Sequence, residues 1–451
     1  MVDLEKEKTI REPEREIKVA AEADVVVVGG GPGGHSAAVA AARAGAETIL
    51  IERYGHLGGM ATGGIVIQIP HLSDGGPEPV IRGLCLEWLD RLEKIGGSLH
   101  PKREEIGRDE PEVVKRWRRY WGNLRRGKIA LTAWVDPELL KCVLNDMVED
   151  SGVKVFLHSW GTSAVLEGGT VRGVILESKS GRQAILGKVI IDGTGDGDLL
   201  PSSGAEYDDT IDFSARSGTL ALVFRLGNCD YQRYCDFRET NPEKFQKLLA
   251  ELHKIAGVRL LPLPSNRNDV MWVNNWVPGV SCLKVEDLTA VEIRMRKVMR
   301  EAHKFLQANF PGLENSFILD TAPQLGTRGS RRLIGEYVVT KEDILSGKKH
   351  PDTIAIFPIP GGVEENAEIR YAHIPFRALV PKKVDGLLVA GRSFSSDLRA
   401  NDMANLIPHC IAMGQAAGVA AALAVKKGVE VRDVDYAELR EALKAQDVRV
   451  D

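Results

Sequence analysis

The stretch "VVVVGGGPGGHSAAVAAARAG", beginning at Val25, constrains this chain more than any other. A continuous β-branched run, Asp24 to Val28, predicts a strand buried on both faces, as in a parallel sheet. The glycine turn leads into His35 to Ala44, whose alanine-rich texture predicts a helix that Gly45 closes. "ETILIER" from Glu47 predicts a second strand, so the whole reads as one βαβ unit of about thirty residues. Gly29, Gly31 and Gly34 fit G-x-G-x-x-G. The first permits the tight turn, the second lets a ligand approach the backbone closely, and the third allows helix and strand to touch.

The helix start presents free N–H groups and a positive dipole end, which suit phosphate. Glu52 stands 18 residues after Gly34, where a carboxylate accepts from a ribose 2′-hydroxyl and repels a 2′-phosphate. FAD and NAD satisfy both features, and two later segments separate them. "IIDGTGDGD", with Asp192, Gly193, Thr194, Gly195 and Asp196, ends a strand in a small-residue turn. "GLLVAGRSFSSD", with Gly391 and Arg392, repeats that pattern much later. Distant returns of this kind suit FAD, which lies extended through its fold.

The expected fold class is α/β: a Rossmann-like FAD-binding domain, its parallel sheet carrying an antiparallel β excursion, plus a discontinuous α+β substrate or cap domain. The expected boundaries are a charged N-terminal arm over 1–20 and a first part of the FAD-binding domain over 21–204, with a helical insertion over about 68–135. A substrate or cap domain over 205–320, a return segment over 321–430 and a C-terminal tail over 431–451 follow. "DPELLKCVLNDMVEDSG" predicts a helix opened by Asp136 and Pro137. "VKVFLHS", "SAVLEG", "VRGVILES" and "QAILGKVIID" read as a small antiparallel excursion. Trp272 and Trp276 read as part of a Pro-rich loop, and "MANLIPHCIAMGQAAGVAAALAV" as one last long helix.

"DVVVVGGGPGG", "ERYGHLGGMATGG", "IIDGTGDGDL", "GTRGSRRLIGEY", "IPFRALVPKKVDGLLVAGRS" and "PHCIAMGQAAGVAAA" together resemble, in order and spacing, the FAD-dependent oxidoreductase family of the glutathione-reductase-type FAD-binding fold. This branch is distantly similar to fumarate reductase and succinate dehydrogenase flavoproteins, and the likeness covers most of the chain. It implies FAD as cofactor, with Gly29, Gly31, Pro32, Gly33, Gly34, Glu52 and Arg53 at the first turn. Gly58, Gly59, Met60 and Thr62 are implied along the pyrophosphate and ribityl chain, and Thr194, Gly195, Asp196, Gly391 and Arg392 in the two returns. Asn405, Leu406 and Ile407 are implied at the start of the last helix, beside the flavin's N1 and O2 edge, where a dipole end favours uptake of a hydride. Two positions depart from the family's pattern: Asn405 stands where Arg is common, and Gly329 where Glu is.

The loop from Leu57 to Thr62 has no cysteine, which excludes dithiol chemistry at the flavin. No second G-x-G-x-x-G follows, so the expected electron acceptor or donor is a small substrate, a protein carrier, a quinone or oxygen. The expected function is an FAD-dependent oxidoreductase of dehydrogenase or oxidase type, transferring a hydride between a small polar or carboxylated substrate and FAD. An ene-reductase of fumarate-reductase type, with Arg as proton donor, and a flavin electron-transfer subunit of a larger redox complex stand beside it. Arg328, Arg331, Arg332, Arg377 and Arg392 are candidates to orient a carboxylate by bidentate pairing, against equal roles in structural ion pairs or FAD phosphate contacts. His373 and His409 are candidates for proton transfer because histidine titrates near neutral pH; the plainer alternative is a satisfied core histidine. His56 is read as a covalent attachment point or a turn residue, and His35 as a polar helix-start residue.

The formal net charge is −4, so no global field argues for nucleic acid or an anionic membrane. No window holds eighteen uninterrupted apolar residues, and the charged N-terminus lacks the apolar centre of a secretory signal, so no membrane span and a cytoplasmic location are expected. Six scattered cysteines predict structural thiols rather than a metal site. "KRWRRYWGNLRRGK", residues 115–128, packs seven basic residues and three aromatics into fourteen positions. Without a nucleic-acid module it reads as a subunit contact, a cap over the active site or an electron-carrier dock. A small-molecule substrate and a homo-oligomeric assembly are the expected partners.

Overall fold

The computed structural model describes residues 9–359 and 371–451. Strand β1 (Lys18–Val28) enters the glycine turn, α1 (Pro32–Arg43) leaves it, and β2 (Thr48–Ile51) pairs parallel with β1. Helix α2 (Pro137–Asp150), capped by Asp136 accepting from the Glu138 and Leu139 N–H groups, crosses over to β3 (Lys154–Phe156). Strand β3 pairs parallel with β2. "VKVFLHS" therefore belongs to the parallel sheet and not to the antiparallel excursion, because a helical crossover returns the chain in the same direction.

Strands β4 (Trp160–Glu167), β5 (Thr170–Ser178) and β6 (Gly181–Asp192) form the antiparallel meander, and β6 then lies parallel to β1. The sheet order is β3-β2-β1-β6-β5-β4. Late in the chain β7 (Leu387–Val389) joins the end of β6 in parallel, opposite Ile190 to Asp192. Glycine turns at the carboxyl ends of β1, β6 and β7 thus meet on one edge, which is where open α/β sheets bind ligands.

Helix α3 (Ile407–Lys427) packs against α1. A Cβ on Gly414 would come within 2.0 Å of the Gly33 carbonyl oxygen, and one on Gly418 within 2.1 Å of that of Ala37. Both helices are rich in Ala and Gly because their backbones touch. Among the described residues α3 alone is long and apolar enough to cross a membrane, and 94% of its apolar window is buried inside the molecule.

The second domain is a mainly antiparallel sheet ordered Phe317–Thr321, Phe224–Gly227, Val270–Pro278, Thr219–Ala221 and Gly326–Thr327, with Arg259–Pro264 also paired to Val270–Pro278. Trp272 and Trp276 sit in its central strand rather than in a loop and, four residues apart, point to the same face. The sheet extends past the expected boundary at 320 to Thr327. Four further expectations change. Residues 18–20 of the expected arm pair in β1. The insertion carries a small sheet closed by Gln68 opposite Trp134, besides its helices. The last helix is split into Leu398–Ala404 and α3, because Pro408 lacks the N–H that a continuous helix requires. The tail forms a helix, Tyr436–Ala445, that buries Leu439 and Leu443.

Replacing Gly418 with Ala should destabilise the fold by about 1–3 kcal/mol, because backbone must move to admit the methyl group. Gly428→Ala, at φ +65 with open space around it, should cost only the strain of a left-handed alanine, about 1 kcal/mol. Chemical denaturation of the two variants checks the order; equal losses would show that α1 and α3 do not depend on this contact.

Candidate active site

The first turn is built by backbone contact. A Cβ added to Gly29, which sits at φ +94, would lie 2.6 Å from the Gly193 carbonyl oxygen, and one added to Gly34 would lie 1.8 Å from the Gly29 carbonyl oxygen. Gly33 is pressed the same way against Ala390. Gly31 differs: a Cβ there would meet nothing nearer than Gly59 Cα at 4.0 Å, so its open side faces the groove. Among the described residues no side chain caps the start of α1, which leaves its first N–H groups for a ligand.

Around this turn runs a groove of about 710 Å³, walled by Gly31, Pro32, Gly33, Glu52, Arg53, Gly59 and Met60 on one side. Thr194, Gly195, Asp196, Gly391 and Arg392 wall the other. Glu52 is buried at its end, accepting from Gly30 N at 2.6 Å and Tyr54 N at 2.8 Å, and burial raises its pKa. Fully buried Asp192 pins the second turn, accepting from Thr194 N, Thr194 Oγ1 and Leu199 N. Asp198 also lines the groove; burial, then Asp196 and Asp192, push its carboxyl up to about 7.

A second cavity shares Pro32, Met60, Arg392 and Cys410 with the groove, so the two adjoin. Its end is formed by Asn405, Leu406 and Ile407 at the start of α3, where again no side chain caps the helix among the described residues. Arg216 donates to Asn405 Oδ1 at 2.5 Å, and Arg328 Nη2 donates to Asn274 Oδ1 at 3.2 Å while its guanidinium stacks 5.2 Å from the Trp276 ring. Burial, then Arg216 and Arg392, push Arg328 down to about 9. Arg392 is paired with Asp196 at 2.5 Å. His71, at φ +62, also lines the cavity, and burial pushes its imidazole down to about 3.

Several expected site residues line neither cavity. Gly34 and Gly58 are used in packing, Gly34 on Gly29 and Gly58 through its N–H to the Gly30 carbonyl. Thr62 spends its hydroxyl on the Leu57 carbonyl at 2.5 Å. Arg331 pairs with Asp198 at 3.3 Å, Arg332 with Asp208 at 2.6 Å and Arg377 with Asp352 at 3.0 Å; these are structural ion pairs. His373 sits in a strand opposite Ile356, its imidazole pushed down to about 4 by burial. His409 is fully buried, stacked on Phe357 with centroids 3.8 Å apart, and burial holds it well below its usual pKa. His56 stacks on Tyr54 outside both cavities. His35 stands in the first turn of α1, as expected, with its ring buried edge-on to Trp88 and Nε2 3.1 Å from the Leu144 carbonyl.

Sequence reasoning missed Arg216, His71, Asn274 and the aromatic wall, because each lies in a segment without a motif. The 115–128 segment forms part of that wall. Arg116 pairs with Glu105, Arg118 and Arg119 with Glu239, and Arg119 with Asp236, which fixes Trp121 at the cavity. Trp121 is the residue of this segment that lines the cavity.

A groove at an acid-tipped βαβ turn, adjoined by an arginine-lined cavity at a helix start, suits a dinucleotide-dependent redox enzyme. The chain belongs to the FAD dependent oxidoreductase family, whose model matches residues 24–443. It is an FAD-dependent oxidoreductase, and the open side of Gly31, the uncapped α1 and the buried Glu52 fit that cofactor. A comparison with curated proteins finds no match. Among solved structures it is similar to a geranylgeranyl bacteriochlorophyll reductase-like protein from Thermoplasma acidophilum, 16% identical over 94% of this chain and 83% of that one, at a TM-score of 0.45. It is also similar to p-nitrophenol 4-monooxygenase from Pseudomonas putida (10% identity, 95% and 88% covered, TM-score 0.49) and to L-proline dehydrogenase from P. horikoshii (14%, 91% and 94%, 0.43). At those scores none of them informs the chemistry of this chain.

Two outcomes are expected. Gly31→Ala should leave the thermal midpoint of the FAD-free protein unchanged yet lower FAD affinity at least about tenfold, since the methyl group occupies only ligand space. Calorimetry and FAD titration check it, and unaltered affinity would place the cofactor elsewhere. Asp198 is protonated below about pH 7 and ionised above, adding negative charge to a groove that receives a pyrophosphate. FAD affinity should therefore fall as pH rises from 6 to 8, and Asp198→Asn should flatten that profile; a profile unchanged in the variant would contradict the assignment.

Proposed function

We propose that this chain is a flavoprotein of the glutathione-reductase-type fold that takes a hydride from a small carboxylate-bearing substrate, in the manner of a dehydrogenase or oxidase. Bound FAD supplies the two-electron acceptor. In this reading Gly31, Gly33, Glu52, Thr194 and Gly391 hold its dinucleotide part, and Met60, Asn405, Leu406 and Ile407 border its ring.

The observation that carries the reading is an unbalanced arginine cluster. Arg216, Arg328 and Arg392 share the cavity; Asp196 matches Arg392, whereas Arg328 has no carboxylate partner among the described residues. Its depressed pKa records the cost of burying that charge beside two others. A substrate carboxylate offsets the cost and accepts two parallel hydrogen bonds from the guanidinium. The positive end of α3 adds to the same field. His71 is the histidine that lines the cavity among the described residues; with its imidazole pushed down to about 3 it stays neutral, so it serves as a hydrogen-bond partner for the substrate rather than as the group that takes its proton.

The reverse direction, reduction of an unsaturated acid, is favoured by one observation: the same buried guanidiniums, Arg328 and Arg216, would hold the carboxylate of an unsaturated acid equally well. Anaerobic addition of 2-hydroxy or 2-amino acids to FAD-loaded enzyme should bleach the flavin. Arg328→Gln should raise the half-bleaching concentration roughly 10- to 100-fold. Bleaching by neutral alcohols alone, undiminished in the variant, would rule the reading out. Anaerobic reoxidation of dithionite-reduced enzyme by an unsaturated acid would instead decide for the reverse direction.

A further inference from the structure

The substrate cavity is asymmetric in its chemistry. Its cations gather with Asn405 at the start of α3, whereas much of the remaining wall is apolar: Met60, Val66, Pro70, Trp121, Trp272 and Trp276. A cavity built for a short dicarboxylate or a sugar needs polar partners on several sides, because every buried ligand oxygen left unpaired costs free energy. Outside the cation cluster its polar side chains are Gln68, His71, Asn274 and Thr327, of which Gln68 is spent on the Trp121 carbonyl and Asn274 on Arg328.

The tryptophans are held in place by the protein. Trp272 is buried in the central strand of the second domain and meets Trp134 edge-on at 6.3 Å. Trp276 has Arg328 over its ring, with Arg259 at 5.3 Å. Trp121 differs, for 63% of its surface is exposed although its backbone is fixed by the Gln68 side chain, which donates to its carbonyl at 2.6 Å. Arg118 and Arg119, just before it, are clamped to the second domain through Glu239, and Tyr231 donates to the Arg119 carbonyl at 2.5 Å. A large ring is thus fixed at the cavity with most of its surface open.

We infer that the substrate is an aromatic or similarly planar monocarboxylate, its anionic group on Arg328 and Arg216 and its ring against Trp121. This rests on the proposed anion site, and adds that the body of the molecule is recognised through stacking. Stacked rings add binding beyond the area they bury, and a single carboxylate matches a cation cluster confined to one end.

The test is equilibrium binding to FAD-loaded enzyme, read from the flavin difference spectrum, with phenylacetate, indole-3-acetate, acetate and succinate as probes. Phenylacetate and indole-3-acetate should bind at least about tenfold more tightly than acetate or succinate. Trp121→Ala, at an exposed ring whose loss the fold tolerates, should abolish that preference and leave acetate binding as it was. Arg328→Gln should weaken all four. Equal binding of the four acids, or a preference that survives Trp121→Ala, would overturn the inference while the anion site stands. Failure of every carboxylate to bind would overturn both.

Discussion

The structure depends on contact between backbones. Gly29 and Gly34 meet Gly193, Gly33 meets Ala390 and Gly414, and an added Cβ at these glycines would in each case come closer than atoms allow. Three segments far apart in sequence are thereby brought within a side chain's breadth of one another. The floor of the groove is consequently made of peptide groups, which is what lets a dinucleotide approach N–H donors directly. Larger residues here would separate β1, β6 and β7 and remove both the fold and the site.

Charge is distributed along the groove and the cavity as well. Glu52, Asp196 and Asp198 stand with Arg53 at the dinucleotide end, whereas Arg216 and Arg328 stand at the other without a carboxylate on the cavity wall. Arg392 joins the two by pairing with Asp196 while facing the second cavity. An acid at the first end suits ribose hydroxyls, which donate; cations and a helix start at the second suit an anion. In the proposed reading this distribution of charge sets the orientation of FAD before any substrate enters.

Much of the first end is legible in the sequence, because dinucleotide turns require glycine at fixed offsets and nothing else satisfies the geometry. Gly29 and Gly31 follow from that requirement and Glu52 from its spacing after Gly34, whereas the roles expected of Asp196 and Arg392 rest on the resemblance. The second end is less legible. Arg331, Arg332, Arg377, His373 and His409 stand out by residue type, and type does not reveal that an aspartate, a strand partner or an aromatic ring already occupies each. Arg216 and His71 carry no motif, since a side chain can reach a cavity from any loop. Asn405 shows the same limit: the position commonly held by Arg in related sequences is Asn here, and a guanidinium arrives instead from Arg216, far away in the chain.

The central claim is that one ligand spans both cavities and delivers its reactive end to the arginine cluster. A crystal structure of the protein with FAD and phenylacetate bound tests it most directly. The account predicts the adenosine ribose on Glu52, the flavin ring between Met60 and the start of α3, and the carboxylate on Arg328. A flavin ring lying outside the second cavity, or an acid bound away from Arg216 and Arg328, would contradict it.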